Sequence, residues 1–360
     1  MASSVRINGR LVGQNAPAYI VAEMSANHGG DFSRAVKILE EARAAGADAV
    51  KLQTYTADTL TIKSDQDYFL IGHGSPWEGR RLYDLYQEAY TPWEWHPKLE
   101  QVANRLGLDL FSSPFDSTAV EFLEKRGAPC YKISSFEIVD IPLIRRVAKT
   151  GKPLILSTGL ATREEITEAV TEARTYGAKE IVLLKCTSAY PAPLEEMNLR
   201  AISALADAYD VPTGLSDHTL GLAVPVAAVA LGACLIEKHF TLSRMNVGPD
   251  SSFSMEPAEF KAMVEAVRAA EKALGRTDYV LGEKEKANRG FRRSLFVVQD
   301  MKAGEVFTKK NIRSIRPGDG LPPRYYDSVL GERSKCSIQR GSPLTWDLVE
   351  RKVSQEKKID

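Results

Sequence analysis

Residues 211–257, VPTGLSDHTLGLAVPVAAVALGACLIEKHFTLSRMNVGPDSSFSMEP, decide how the chain is read. Two short apolar runs end in His218 and His239, and the Ala/Val/Leu run between them reads as a helix. A strand–helix–strand unit with a histidine closing each strand brings two imidazoles to one rim of a parallel sheet, where α/β enzymes keep their chemistry. Two neutral imidazoles that close can hold a divalent ion. Asp217, Glu237 and Asp250 lie nearby in sequence to orient ligands, balance charge or transfer protons. Imidazole and oxygen donors with open positions suit a labile Mn²⁺, Co²⁺ or Mg²⁺ better than a closed zinc cage. The alternative is that each histidine merely caps its strand, but the chain has only five histidines and two of them occupy matching strand ends.

Working outward, the same alternation of strand and helix repeats. Strands are expected at 18–25, 47–55, 108–115, 130–137, 153–159, 181–188, 212–219 and 234–242. Helices separate them, opened by caps at Asp31 or Ser33, Asp116, Asp140 with Pro142, Thr162 and Glu256 with Pro257. The first shows Ala35, Ile38, Leu39 and Ala42 at helical spacing, and the last shows Phe260, Met263, Val264 and Val267 on one face. Eight such units within about 260 residues fit a closed (β/α)₈ TIM barrel better than an open doubly wound sheet. No GxGxxG follows a strand, which argues against a dinucleotide fold. Residues 1–17 read as a polar leader. One connection, from Thr56 to Leu106, is unusually long and rich in aromatics. Within it Thr91, Pro92 and Glu94 form a capping box, and 58–81 reads as an excursion over the barrel mouth, a lid or a subunit contact. After Gly275 a polar linker over 276–292 leads to a small module at 293–352 with short strands and tight turns, and 353–360 is a polar tail. So slight a module is expected to lean on the barrel or on a second chain.

Composition narrows the function classes. The 360 residues include 47 Lys and Arg against 47 Asp and Glu, so no global field holds nucleic acid or an anionic membrane. An anionic substrate must be gripped locally. The four cysteines form no CxxC pair, and three fall in core strands, which fits a reducing compartment. The amino-terminal stretch lacks the apolar core of a signal peptide and no apolar run is long enough for a membrane span, so a cytoplasmic protein is expected.

If the barrel closes, the polar residues ending each strand converge on one mouth. They are Glu23, Ser25, Asn27 and His28; Lys51, Gln53 and Thr54; Ser112, Ser113 and Phe115; Lys132, Ser134, Ser135 and Glu137; Ser157, Thr158 and Gly159; and Lys185, Thr187, Ser188 and Tyr190. Strand interiors rarely carry lysine, so Lys51 and Lys132 stand out. Lysines among Ser/Thr hydroxyls and backbone N–H groups make a pocket for a phosphate and a carboxylate. The plainer reading of each is a side chain snorkelling at a strand end. Schiff-base chemistry is a second option, disfavoured by the metal pair. A metal beside a phosphate-binding floor suggests either condensation of a phosphorylated enol with a carbonyl or isomerisation of a sugar phosphate, and the residues alone do not choose. A non-catalytic ice- or glycan-binding role for the last module is disfavoured, because 293–352 has few threonines and many charges.

The motifs AEMSANH, GADAVKLQT, SSPF, YKISSFE, LSTG, LKCTSAYP, GLSDHTLG, EKHFTL and GPD, followed by KAGE and RPGDG, occur in this order. The whole chain thereby resembles the sialic-acid (nonulosonic acid) synthase family, a TIM barrel followed by an antifreeze-like (SAF) domain. The resemblance implies condensation of phosphoenolpyruvate with an open-chain amino sugar. It makes His218 and His239 the metal ligands and places Lys51, Lys132, Ser113, Ser135, Ser157 and Ser216 around phosphoenolpyruvate. Glu23, Gln53, Tyr190, Glu237 and Asp250 then lie near the reacting groups or the sugar. Arg316 is implied to reach the sugar's acyl group in the partner subunit's barrel, in a domain-swapped homodimer. Within the family, YTPWEWH, CTSAYP and GPDSSFS look more like the pseudaminic acid synthase branch than the N-acetylneuraminate branch, which usually has Asn where Ser188 stands and no aromatic ring at Phe253. Losing an amide and gaining an apolar ring suits a sugar with a C6 methyl and a second acetamido group.

Overall fold

A computed structural model describes residues 4–350 except His73 and Val247; the expected tail at 353–360 lies outside them. Eight parallel strands close on themselves in the order β10-β3-β4-β5-β6-β7-β8-β9. They are β3 (Tyr19–Glu23), β4 (Ala49–Thr54), β5 (Asp109–Pro114), β6 (Tyr131–Ile133), β7 (Leu154–Ser157), β8 (Ile181–Cys186), β9 (Thr213–Asp217) and β10 (Leu235–His239). The expected barrel is therefore present, and each expected strand contains an observed one. The seam closes where Leu235 to His239 pair in register with Tyr19 to Glu23.

The helices follow from their caps. Asp31 opens α1 (Phe32–Ala44) by accepting from the amides of Ser33 at 2.7 Å and Arg34 at 3.2 Å. Ala35, Ile38, Leu39 and Ala42 are its buried residues, and burying Ile38 and Leu39 contributes about 1.5–3 kcal/mol each. Asp116, Asp140 and Thr162 cap later helices as expected, and Phe260, Met263, Val264 and Val267 form the buried face of Pro257–Leu274. Thr91 behaves differently. Its hydroxyl lies 3.1 Å from His28 Nε2, and 93–95 form a 3-10 turn whose cap position is Pro92. The expected capping box does not form because His28 has taken the hydroxyl.

The leader is also structured. Ser4–Ile7 (β1) and Arg10–Gly13 (β2) pair antiparallel across Asn8 and Gly9, both at positive φ. Val5, Ile7 and Val12 join Tyr19, Val21, Ala49, Phe111, Cys130, Ile155, Val182, Leu184, Cys234 and Leu235 in one buried cluster. The hairpin thus plugs the amino-terminal end of the barrel, and the opposite end is left for chemistry.

The chain divides into two compact units, Met1–Gly275 and Arg276–Asp360. In the second, β11 (Ser294–Val297) pairs antiparallel with β12 (Ile312–Ile315), and β13 (Arg333–Ser334) with β14 (Val349–Glu350). Its core includes Leu295, Val297, Phe307, Ile312 and Leu344. The stretch expected as a bare linker carries a short helix, Glu283–Asn288, tied by Lys286 to Glu283 at 2.6 Å. Among the described residues no helix is long and apolar enough to cross a membrane.

Candidate active site

Side chains two apart on a strand share a face, and in this barrel that rule sorts floor from site. Tyr19, Val21, Ala49, Phe111, Cys130, Ile155, Leu184 and Leu235 fill the lumen below. Continuing the same alternation upward reaches Glu23, Lys51, Gln53, Ser113, Lys132, Ser157, Cys186, Ser216, Glu237 and His239. Above this layer lies a cavity of about 460 Å³. Of the expected site residues, Lys51, Gln53, Lys132, Ser135, Ser157, Tyr190, Ser216, His218, Glu237, His239 and Asp250 line it.

At the centre is a buried charge cluster. Lys51 Nζ stands 3.1 Å from Glu23 Oε2 and 3.0 Å from Glu237 Oε1. Burial works against the Lys51 charge, but the two carboxylates outweigh it and raise its pKa. Burial pushes Glu23 up to about 7 despite Lys51. Burial also opposes the Glu237 charge, yet Lys132 and Lys51 together hold that carboxyl below its ordinary range. Lys132 donates to Ser157 Oγ at 2.6 Å and to the Ile133 carbonyl at 3.0 Å, and burial brings it down to about 8. With both glutamates ionised the Lys51 trio carries one net negative charge, and protonating Glu23 neutralises it. Attraction for an anion therefore comes from Lys132, with Lys51 balancing the carboxylates and holding them apart.

The imidazoles meet as expected, with ring centroids 5.4 Å apart. His218 Nδ1 lies 2.9 Å from the Thr187 carbonyl and donates to it, which leaves Nε2 as the nitrogen available to an ion; burial opposes the ring's charge, but Cys186 and the Thr187 carbonyl outweigh it and raise its pKa. His239 Nδ1 is buried with no hydrogen-bond partner among the described residues, as is Glu237 Oε2. Burial and the neighbouring His218 hold His239 well below the ordinary histidine range, so its ring is neutral. No group of three or more His, Cys, Asp or Glu side chains is preassembled around a metal position among the described residues. Two imidazoles that can each offer a ring nitrogen to an ion, with an unsatisfied carboxylate oxygen of Glu237, nevertheless fit an ion held by few protein ligands and open to substrate.

Aromatic rings wall the same side. Tyr190 lies 4.4 Å from His218 and 5.0 Å from Phe253, and Phe253 lies 5.1 Å from His239. Trp77, from the excursion at 58–81, packs 5.4 Å from Tyr190 and donates Nε1 to the Pro249 carbonyl at 2.8 Å. The excursion therefore does cover the mouth, and Leu60, Ile71, Ser75 and Trp77 line the cavity. Asp250 accepts from the Ser25 hydroxyl, which also receives Gln53 Nε2 at 3.0 Å.

Other expected residues are placed differently. Ser113 sits under Ser134 at 3.2 Å, and Ser188 lies 3.7 Å from Cys186 Sγ. A Cβ on Gly159 would collide with the hydroxyls of both Ser188 and Ser135, so glycine keeps that corner open. Asp217, expected beside the imidazoles, turns to Lys238 at 2.5 Å because it lies on the other face of its strand. His28 faces Thr91 and Trp95, and Lys185 bonds back to the Cys186 carbonyl, so neither lines the mouth. Arg316 belongs to the second unit and is exposed. Sequence reasoning passed over Tyr55, Tyr86 and Cys186 as lining residues. The strand periodicity that places Lys132 and Ser157 also places Cys186.

The NeuB family model matches residues 38–279, and the SAF domain model matches 292–350. The chain is 46% identical over 326 residues to the pseudaminic acid synthase of Campylobacter jejuni subsp. jejuni serotype O:23/36, covering 91% of this chain and 95% of that protein. It is 45% identical over 338 residues to the pseudaminic acid synthase of Helicobacter pylori, covering 94% and 99%. Among solved structures, the N-acetylneuraminic acid synthetase of Leptospira borgpetersenii serovar Hardjo-bovis in complex with citrate superposes with a TM-score of 0.72 at 30% identity, covering 80% of this chain and 95% of that one.

Proposed function

Because this chain belongs to the NeuB family and ends in a SAF domain, we propose that its barrel performs the family's condensation on the sugar that pseudaminic acid synthases use. Phosphoenolpyruvate, 2,4-diacetamido-2,4,6-trideoxy-L-altrose and water give pseudaminic acid and phosphate. The observation that carries the sugar assignment is the identity of 45–46% to pseudaminic acid synthases over more than 90% of the chain. The ring wall of Trp77, Tyr190 and Phe253 agrees with it, since apolar surface stabilises a C6 methyl where a site built for a hydroxyl would not.

The residues divide the work. Lys132, with Ser135, Ser157 and Ser216 around it, holds the phosphate and carboxylate of phosphoenolpyruvate. Gln53, Tyr190 and Asp250 orient the open-chain sugar so that its aldehyde carbon faces C3 of the enol. His218 and His239 would hold a divalent ion, Mn²⁺, Co²⁺ or Mg²⁺, whose charge supplies Lewis-acid polarisation of an aldehyde oxygen. As the C–C bond forms, positive charge grows at C2, and the carboxylates of Glu23 and Glu237 stabilise it. Water then adds at C2 and gives its proton to Glu23, whose pKa of about 7 suits a base at neutral pH. The tetrahedral adduct collapses to the ketone, its hydroxyl proton leaving with the phosphate, and the proton taken up by Glu23 passes to the alkoxide formed from the aldehyde oxygen.

The test is a substrate panel read by phosphate release. Turnover is expected with the L-altrose derivative in the presence of Mn²⁺. Consumption of only N-acetylmannosamine or the legionaminic acid precursor would overturn the sugar while leaving the family intact, and turnover without phosphoenolpyruvate would favour an isomerase.

The protein works in the cytoplasm as a domain-swapped homodimer in which Arg316 reaches the acyl group in the partner's barrel. Four free thiols and the small core of the second unit support this. Sedimentation at micromolar concentration is expected to give a dimer; a monomer with full activity would overturn the swap.

A further inference from the structure

Lys238 is buried where apolar residues belong. Its neighbours on the outer face of the barrel wall, Leu215 and Ile236, join the apolar layer that includes Ala228 and Phe260. Yet Lys238 is 1% exposed, and its Nζ donates to Asp217 Oδ2 at 2.5 Å and to the Thr219 carbonyl at 2.6 Å. Asp217 Oδ1 in turn accepts the Thr219 amide at 2.9 Å. The ammonium therefore grips the two residues that flank His218, while Lys238 itself directly precedes His239. Lys238 and Asp217 also face each other in the strand register.

We propose that the Lys238–Asp217 pair is a positioning device for the condensation, setting the separation and tilt of His218 and His239 from behind the barrel wall. Neither residue touches the cavity, so neither is a catalytic residue. Stability does not account for the pair, because a buried ion pair does no better than well-packed apolar groups of similar volume. What it adds is direction. A hydrophobic residue at 238 would fill the space but leave the Thr219 carbonyl without its donor and the Asp217 carboxylate without its counter-charge, so that the segment after His218 loses its tie to the strand that carries His239. His218 would keep its contacts with Thr187, Cys186 and Tyr190 and the hydrogen bond from the Ala192 amide to its carbonyl, but none of these holds the residue that follows it. This inference rests on the reading that the two imidazoles hold a divalent ion.

The test uses the full-length protein and Co²⁺ as probe, followed by its visible absorption and by titration. The double variant Asp217→Leu/Lys238→Met should fold with a Tm within a few degrees of wild type. It should bind Co²⁺ about 10–100-fold more weakly, with an altered ligand-field spectrum, as happens when groups supporting metal ligands are removed. Its kcat should fall while the KM for phosphoenolpyruvate stays within about twofold, because the lysine floor is untouched. Lys238→Arg, which keeps the charge and both acceptors, should recover most of the affinity. If the double variant does not fold, Asp217→Asn preserves shape and weakens only the charge, and it must still loosen Co²⁺ binding severalfold. Wild-type Co²⁺ affinity and spectrum in the folded double variant, or in Asp217→Asn where the double fails to fold, overturn the proposal. His218→Ala and His239→Ala serve as controls: if they too keep Co²⁺, the ligand assignment has failed, whereas if they lose it and the pair variants do not, only the positioning role has.

Discussion

Replacing His239 with alanine is expected to lower kcat by at least about 10³, equivalent to about 4 kcal/mol of transition-state stabilisation, while the thermal midpoint moves by only a few degrees. The asymmetry follows from the environment of the ring. Nδ1 of His239 is buried without a hydrogen-bond partner among the described residues, so removing it strands no donor or acceptor. The lost packing is against Phe253 at 5.1 Å, at the edge of a cavity that can take up water. The same substitution at His218 removes a bond to the Thr187 carbonyl and is expected to cost somewhat more stability for the same loss of turnover. Steady-state phosphate release paired with a melting curve checks both. Wild-type turnover in both variants would remove the imidazoles from the mechanism.

Lys51→Met is expected to damage fold and function together. Lys51, Glu23 and Glu237 are each 5% exposed or less, and the ammonium is what separates the two carboxylates. Taking one partner from a buried ion network costs about 3–5 kcal/mol, and kcat/KM for phosphoenolpyruvate should drop by about 10³ as the two glutamates lose the cation that keeps them ionised and in place. The pH dependence has a definite sign. Without the lysine, both carboxyls have folded-state pKa values raised above those of the unfolded chain, so near neutrality the native state holds protons that the unfolded chain has released. Stability contributed this way is present below the unfolded values and is lost as pH rises through the folded ones. Denaturation should therefore show the gap between variant and wild type widening from pH 6 to pH 8. Adding Glu23→Gln should restore much of the stability and none of the activity. A pH-independent gap would mean that the carboxylates are not coupled through Lys51.

Much of the molecule could be read before it was seen. The barrel follows from eight apolar runs ending in polar residues, and the caps at Asp31, Asp116, Asp140 and Thr162 behave as their side chains dictate. The pairing of His218 with His239 follows from two strands adjacent in sequence being adjacent in a parallel sheet. Sequence and structure part where one residue has two possible partners or where strand alternation overrides proximity in sequence. Thr91 had the spacing of a cap, but a buried histidine claimed its hydroxyl. Asp217 neighbours His218 in sequence, but the next residue on a strand faces the other way and there meets Lys238. The amino-terminal hairpin reads as leader because its strands are four residues each, although Asn8-Gly9 between VRI and RLV is a strong turn signal. Trp77 reaches the ring wall through the long excursion, a placement that no local pattern encodes.

The amino-terminal hairpin also orders events during synthesis. The ribosome makes the stopper before the vessel: the seat of Val5, Ile7 and Val12 is not complete until the strand containing Leu235 arrives more than two hundred residues later. Until then their oily faces stay wet, and sealing the bottle and corking it become a single late act that many distant segments must reach together.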